Sequence, residues 1–275
     1  MKNHLKNIFL FMLFGPLFQK EPFFRWITAG VIAPFKVFKK NYKNIIFKYN
    51  ISSLAIHKVV KVFWWNSNRE IETRNWIENN IEDGDVFLNV GAHIGTFVLF
   101  ANKIKKLKKT ICIEASGNNI SELMINLNLN NIINTDIFHC AAGDREGFVK
   151  FSYENLSPGY YNSRVLDLHY NKKQKLPVQG SEFIQMKKID NIIKENKLPY
   201  PTVILMDIDG HELLALKGME YIFTKTLLRW VIIETNLKTD EFVISFMKKY
   251  NFVISYENNK TPNQKGTNNR LFIRE

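Results

Sequence analysis

The sequence predicts an α/β fold in which a mostly parallel sheet is covered by helices on both faces. Apolar, strand-like runs alternate with helix-like segments, and this alternation is typical of parallel sheets. A turn of small residues, Gly91, Ala92 and Gly95, separates the first strand of this series from its helix. The predicted core comprises strands 85–90, 110–114, 135–140, 202–207 and 230–235, with helices 94–106, 117–129 and 211–218.

Further elements are predicted on either side of this core. They are strands at 45–49, 58–63, 148–153, 252–254 and 271–273, and helices at 69–80 and 242–250. Residues 154–180 follow neither a helix nor a strand pattern, and we interpret them as an insertion loop. A long irregular segment in a compact domain is commonly a binding loop, because rigid elements on both sides can position it.

The small-residue turn carries the strongest functional signal. Gly91, Ala92 and Gly95 let the backbone approach a ligand closely, and the helix that follows offers free N–H groups. Glu114 ends the second core strand, where a carboxylate can accept hydrogen bonds from both hydroxyls of a ribose. The turn lacks the first glycine of the dinucleotide fingerprint, so the pattern favours S-adenosylmethionine over a nicotinamide dinucleotide.

Several motifs occur in a fixed order along residues 80–236. They are Asn89-Val90-Gly91-Ala92-His93-Ile94-Gly95-Thr96, Ile113-Glu114, Ala141-Ala142-Gly143-Asp144, Ile189-Asp190, Met206-Asp207-Ile208-Asp209-Gly210-His211-Glu212 and Ile233-Glu234. This ordered set resembles the FkbM family of S-adenosylmethionine-dependent methyltransferases. Two positions depart from the family's usual pattern, with Asn89 in place of Asp and Met206 in place of Lys.

The resemblance implies a Rossmann-like class I methyltransferase fold, with a mostly parallel seven-stranded sheet and an antiparallel terminal strand. It also implies methyl transfer to oxygen, commonly to a hydroxyl of a sugar or a natural product. S-adenosyl-L-methionine is therefore the expected cofactor. The residues expected to hold it are Asn89, Gly91, Ala92, His93, Gly95, Thr96, Glu114, Ala142 and Asp144.

Acidic side chains and a histidine follow the strand at 202–207, at the sheet edge where ligands of open parallel sheets bind. Asp207, His211 and Glu212 are the candidate catalytic residues. A hydroxyl is a weak nucleophile, so a general base assists its methylation. We expect Asp207 and His211 to form that base, with Glu212 accepting substrate hydroxyls. The alternative is a structural role, in which Asp209 caps the following helix and Asp207 accepts hydrogen bonds from backbone N–H groups.

Candidate substrate-binding residues lie in the insertion loop and at the ends of two later strands. The tyrosines can stack on a sugar ring, and the arginine can hold an acidic group. The set comprises Tyr160, Tyr161, Arg164, Asp209 and Glu234. We expect no metal; the alternative is a Mg²⁺ site formed by Asp207, Glu234 and Asn236, since Mg²⁺ prefers oxygen ligands.

The positive charge is concentrated in residues 1–61, which hold eleven Lys or Arg and one acid, Glu21. We interpret residues 1–68 as a basic, aromatic N-terminal arm with helical segments, and residues 69–275 as the methyltransferase domain. Aromatics mixed with lysines suit peripheral contact of residues 1–61 with an anionic membrane. The alternatives are a cap packed on the domain or a homodimer contact.

Composition indicates a packed core and an intracellular setting. The chain is 45% hydrophobic and 23% charged, which predicts a packed core. Its two cysteines, Cys112 and Cys140, fall in predicted strands without metal-like spacing. With no signal-peptide cleavage site evident, we expect a cytoplasmic enzyme, with membrane association as the alternative.

The expected acceptor is a saccharide or glycolipid. Nucleic acid is not expected, because Asp207-Ile208-Asp209-Gly210 stands where amino-directed nucleic-acid enzymes of this fold usually carry Asp/Asn-Pro-Pro-Tyr/Phe. The alternatives that remain open are a methyltransferase that acts on nucleic acid and a non-catalytic binding protein of the same fold.

Overall fold

A computed structural model describes most of the chain after the basic arm. The described residues are 37–51, 56, 59–60, 63–64, 68–160, 163–166, 178–208, 210–236, 239–255 and 268–275. Most of the predicted membrane-contacting segment lies outside these ranges. Residues 39–275 form one compact unit that begins ahead of the boundary predicted between residues 68 and 69.

The described residues contain thirteen strands and seven helices. The strands are β1 (Val37–Tyr42), β2 (Ile45–Asn50), β3 (Val86–Val90), β4 (Lys109–Glu114), β5 (Thr135–His139), β6 (Ala141–Ala142), β7 (Gly147–Tyr153), β8 (Arg164–Leu166), β9 (Gly180–Lys187), β10 (Val203–Met206), β11 (Trp230–Thr235), β12 (Phe252–Ile254) and β13 (Asn268–Arg274). The helices are α1 (Asn68–Asn80), α2 (Thr96–Ile104), α3 (Gly117–Leu129), α4 (Ile189–Glu195), α5 (Glu212–Lys217), α6 (Glu220–Phe223) and α7 (Asp240–Lys249).

Seven strands form the central sheet, in the order β12-β13-β11-β10-β3-β4-β5. β10 pairs in parallel with both β3 and β11, while β13 is antiparallel to β11 and β12. Every residue of β3, β10 and β11 is buried, as expected for parallel strands covered on both faces. The α/β class, the parallel sheet and its antiparallel terminal strand are confirmed.

A smaller four-stranded sheet, in the order β6-β9-β7-β8, extends from the region after β5. β7 and β9 pair along their length in antiparallel register, and β8 pairs with β7 from within the predicted insertion loop. The interpretation of residues 154–180 as wholly irregular is therefore wrong for its described part. β9 and α4 have no counterpart among the predicted elements.

Residues that precede the first core strand pack against the domain. β1 and β2 form a hairpin whose turn residues, Lys43 and Asn44, both have positive φ, as two-residue hairpin turns require. The strand predicted at 58–63 is wrong where the structure describes it, because Val59 and Val60 are helical.

Both cysteines are free and buried, as predicted.

An arginine lies in the middle of the aromatic cluster that joins this segment to the domain. The guanidinium of Arg74 lies 5.0 Å from the ring centre of Trp64 and 5.4 Å from that of Tyr42. It also donates a 3.0 Å hydrogen bond to the backbone carbonyl of Phe63.

Among the described residues, no helix is long and apolar enough to cross a membrane.

Asp85 is a buried acid at the edge of the sheet where the parallel strands begin, opposite the cavity edge, and it forms several hydrogen bonds there. Asp85 accepts hydrogen bonds from Arg229 Nη2 at 2.6 Å, from Thr202 Oγ1 at 2.6 Å and from the backbone of Glu82 at 2.7 Å. Its side chain is 6% exposed, whereas Glu82, which Arg229 also contacts, is 67% exposed. The Arg229–Asp85 pair should therefore contribute to stability far more than the Arg229–Glu82 pair.

We expect Arg229→Met to lower the free energy of unfolding by about 2 kcal/mol, because it leaves a buried carboxylate without its charge partner. Urea unfolding followed by circular dichroism measures this change. The matched control is Glu82→Gln, which should cost less than about 0.5 kcal/mol because that pair is exposed. Equal costs for the two variants would contradict the assignment.

Candidate functional site

A cavity of about 440 Å³ opens at the carboxyl ends of the central strands. Its walls include the ends of β3, β4, β10 and β11 and the residues that follow β5. Pockets of this size accommodate small-molecule ligands. The cavity lies at the edge of the parallel sheet where ligands bind in folds of this class.

The small-residue turn after β3 forms one wall of this cavity. Gly91 has φ of +83°, and a Cβ added there would lie 1.9 Å from the backbone oxygen of Asp207. Only glycine therefore lets the turn after β3 lie against the turn after β10. The amides of Gly91 and Ala92 both donate to the carbonyl of Ile113, at 2.8 and 3.1 Å, so the ends of three strands are held together.

Glu114 lies at the tip of β4, in the cavity wall. One carboxylate oxygen accepts from the backbone N–H of His93 at 2.7 Å, and the other from that of Ser116 at 2.8 Å. Burial nevertheless raises the pKa of Glu114 above its usual value. Oε1 also accepts from Asn119 Nδ2 at 3.4 Å, so Oε2 is the oxygen that keeps a lone pair for a hydroxyl of a bound ligand.

Two other cavity residues have polar atoms available for a ligand. Within the described part of the chain, Asn89 Oδ1 and His93 Nε2 are buried and have no hydrogen-bond partner. Burial also lowers the pKa of His93 to about 4, so its imidazole is neutral at pH 7. Buried polar atoms without partners are costly, and a bound ligand is one way to satisfy them.

Asp207, His211 and Glu234 also line the cavity, on the side formed by β10 and β11. His211 is the residue that immediately precedes α5, and Glu234 is next to the last residue of β11. The structure thus brings the two proposed base residues to the same cavity as Glu114. The predicted cofactor residues Ala92, Thr96 and Ala142 and the predicted substrate residues Tyr160 and Arg164 lie there too.

Four predicted site residues have described positions outside the cavity lining. Gly95 immediately precedes α2 and has φ of +86°, and Asp144 forms a 3.7 Å ion pair with Arg145. Asn236 accepts a hydrogen bond from the backbone of Thr239 at the start of α7. Glu212 is 1% exposed and accepts from the backbone of Gly210, so the expectation that it binds substrate hydroxyls is corrected.

The remaining predicted residues and the metal alternative complete this comparison. Tyr161 and Asp209 lie outside the described residues. Within the described ranges, no group of three or more His, Cys, Asp or Glu residues is arranged to hold a metal ion. Sequence reasoning missed several lining residues, because they reach the cavity only through packing across the fold: Phe63, Glu70, Ser116, Asn119 and Phe151.

One comparison with known proteins identifies the family of the chain. The profile of the methyltransferase FkbM domain matches residues 89–254, more than half of the chain. The chain belongs to the FkbM methyltransferase family. A search of curated proteins found no significant match.

Similar solved structures include a precorrin-6y C5,15-methyltransferase from Geobacter metallireducens, at 11% identity and a TM-score of 0.44. That alignment covers 74% of this chain and 85% of the other. An rRNA methylase from Streptococcus thermophilus is 11% identical, with a TM-score of 0.45 and coverage of 76% and 98%. M. jannaschii TYW2 in complex with AdoMet is 14% identical, with a TM-score of 0.42 and 87% coverage of both chains.

The cavity of this FkbM methyltransferase fits S-adenosylmethionine, the methyl donor that the family implies. Glu114 supplies a carboxylate to the cavity wall, and Asn89 Oδ1 and His93 Nε2 are buried polar atoms without a described hydrogen-bond partner. Asn89 is neutral, so it can accept hydrogen bonds from the donor's amino group without the ion pair that an aspartate would form.

The buried carboxyl of Glu212 makes stability depend on pH. Burial raises its pKa from 4.5 to about 7, against the opposing hydrogen bond from the Gly210 amide. The folded state therefore holds this proton more tightly than the unfolded state does. Glu212 therefore does not destabilise the fold at low pH. Its destabilising effect grows as the pH rises from about 4.5 to about 7, and the effect is constant above that range.

We expect Glu212→Gln to increase the free energy of unfolding, relative to wild type, by up to about 3 kcal/mol more at about pH 8 than at about pH 5. Urea unfolding at both pH values measures this difference. The matched control is Glu241→Gln at an exposed position of α7, which should have the same small effect at both. An equal effect of Glu212→Gln at the two pH values would refute the ionisation argument.

Proposed function

We propose that this protein is an S-adenosylmethionine-dependent O-methyltransferase that acts on a hydroxyl of a saccharide or glycoconjugate. The observation that carries the proposal is the shared cavity. Glu114 lines it on the β4 side, and Asp207 and His211 line it on the β10 side. A carboxylate suited to a ribose and a candidate base thus face a single space large enough for a small-molecule ligand.

The residues around β3 and β4 are suited to hold the cofactor. Glu114 would accept the ribose hydroxyls, while Asn89 and His93 would contact other polar groups of the molecule. When bound, S-adenosylmethionine supplies an electrophilic methyl group on a sulfonium sulfur. The absence of a side chain at Gly91 lets this turn lie against the turn after β10, so that both turns contribute to the wall of one cavity.

The residues after β10 are suited to deprotonate the acceptor. Imidazole is the commonest general base in enzymes near neutral pH, and His211 occupies the start of α5 within the cavity wall. His211 would take the hydroxyl proton as the acceptor oxygen bonds to the methyl carbon, while the bond from that carbon to sulfur breaks and S-adenosylhomocysteine is the leaving group. Asp207 would orient the imidazole and stabilise its charged form, as carboxylates do in other acid–base pairs.

The acceptor side of the cavity supports a polyhydroxylated substrate. Tyr160 contributes an aromatic ring and a hydroxyl to the cavity wall, Arg164 a guanidinium and Glu234 a carboxyl group. Hydrogen-bonding groups around a partly aromatic wall suit the alternating polar and apolar faces of a sugar ring. Tyr161 and Asp209 remain sequence-based candidates for the same side.

A methyl-transfer assay with labelled S-adenosylmethionine and a saccharide extract tests the proposal. We expect label in the glycan fraction, and His211→Ala and Asp207→Asn should each lower the rate by about 10²- to 10⁴-fold, as loss of a general base does. Asp136→Asn, which removes a partly exposed ion pair on β5 with Lys109, is the matched control and should keep wild-type activity.

Two results would contradict the proposal. Label recovered only in nucleic acid would contradict the saccharide acceptor. Wild-type rates for both His211→Ala and Asp207→Asn would contradict the assignment of the base. Calorimetry with S-adenosylhomocysteine shows whether each variant still binds cofactor, and so separates a loss of chemistry from a loss of binding.

A further inference from the structure

Asn119 lies between the carboxylate of Glu114 and the backbone of the loop at residues 154–160. Its Nδ2 donates to Glu114 Oε1 at 3.4 Å, and its Oδ1 accepts from the amide of Gly159 at 2.9 Å. The side chain is 5% exposed and lines the cavity. One planar amide therefore connects the predicted ribose-binding carboxylate with a loop that is distant in sequence.

A second set of contacts joins the same two places through His93. The backbone N–H of His93 donates to Glu114 Oε2 at 2.7 Å, and its imidazole forms a hydrogen bond with the backbone of Tyr160. Since Gly159 and Tyr160 are adjacent, the contacts close a ring that runs from Glu114 through Asn119 to the loop and back through His93. Tyr160 itself lines the cavity.

The loop has little freedom to shift without breaking this ring. Gly159 has φ of +80°, and a Cβ added there would lie 3.1 Å from Cα of Ile56. The buried amide of Gly159 would lose its acceptor if Asn119 moved, which is costly for a buried donor. Asn118 also fastens the loop, since its Nδ2 donates to the carbonyl of Leu156 at 3.0 Å, but no described hydrogen bond joins it to Glu114.

We propose that Asn119 is a positioning residue that couples occupancy of the Glu114 subsite to the placement of residues 157–160 on the acceptor side of the cavity. The inference rests on the proposed function, because it takes Glu114 as the cofactor's ribose-binding residue. A diol that hydrogen-bonds to Glu114 fixes the carboxylate that Asn119 contacts. Because the amide of Asn119 is rigid, its oxygen is then fixed against the Gly159 amide as well.

The coupling is reciprocal. A bound cofactor stabilises the loop that carries Tyr160, and an acceptor that holds the loop strengthens cofactor binding by the same factor. Asn119 thereby favours acceptor binding to the enzyme that already contains its methyl donor.

Hydrogen exchange, measured by mass spectrometry with S-adenosylhomocysteine as the probe, tests this coupling. In wild type, saturating probe should slow exchange of the peptide that contains Gly159 and Tyr160 by roughly tenfold, as expected when local opening is suppressed. Asn119→Ala should exchange faster and show no response to the probe. Asn119→Asp keeps an acceptor for the Gly159 amide but replaces the donor to Glu114 with a second carboxylate, so it should lose the response to the probe.

Asn118→Ala is the matched control, because it weakens the loop's attachment without touching Glu114. In this variant the loop peptide should exchange faster than in wild type when no probe is present, and saturating probe should still slow its exchange. Calorimetry establishes saturation for every variant.

Three outcomes would overturn the coupling. The first is that bound probe does not slow hydrogen exchange of the loop in wild type. The second is that bound probe slows this exchange in Asn119→Asp as much as in wild type. Both would leave the cofactor assignment intact. The third is a failure of wild type to bind S-adenosylhomocysteine, which would overturn the proposed function together with the coupling.

Discussion

The site depends on the close contact between the turn after β3 and the turn after β10. Val90 and Met206 are paired neighbours in the sheet, and the amide of Asp207 donates to the carbonyl of Val90 at 3.0 Å. One residue further on, the absence of a side chain at Gly91 lets its backbone lie against the carbonyl of Asp207. A larger residue would separate the two turns and open the wall between the cofactor side and the base side.

Buried carboxylates have different roles at the two ends of the sheet. Asp85, at the end opposite the cavity, is surrounded by an arginine, a hydroxyl and a backbone amide, as a structural acid requires. Glu114 is held by backbone N–H groups, and burial raises its pKa. A carboxylate that is positioned yet still able to accept hydrogen bonds suits ligand binding better than stability.

Much of the fold could be predicted because its elements carry local signals. The helix at 117–129 begins after Ser116, whose hydroxyl accepts from the amide of Asn119, and serine is a strong helix N-cap. The β-branched residues Val59 and Val60 also carry a local signal, which predicts a strand, but the structure shows them as helical. Tertiary packing overrides strand propensity at such positions.

The unpredicted parts depend on contacts between distant residues. β9 pairs with β6 and β7, and neither partner can be identified from the composition of residues 180–187. Sequence reasoning could place Glu114, Asp207 and His211 at one edge of the sheet, because each lies at or next to the end of a strand or the start of a helix in a recognisable motif. Asn119 was missed since its role lies in a bond to Gly159, forty residues away, and Glu212 was misjudged because its burial depends on the packing of α5.

The central claim is that Glu114 and the turn at Gly91 form a binding site for S-adenosylmethionine. Calorimetric titration of S-adenosylmethionine into wild type and Glu114→Ala tests it most directly. We expect micromolar binding by wild type and binding weakened by roughly tenfold or more in the variant, since hydrogen bonds to a charged acceptor contribute about 1.5–3 kcal/mol each. Absence of binding by wild type, or equal affinities for the two proteins, would contradict it.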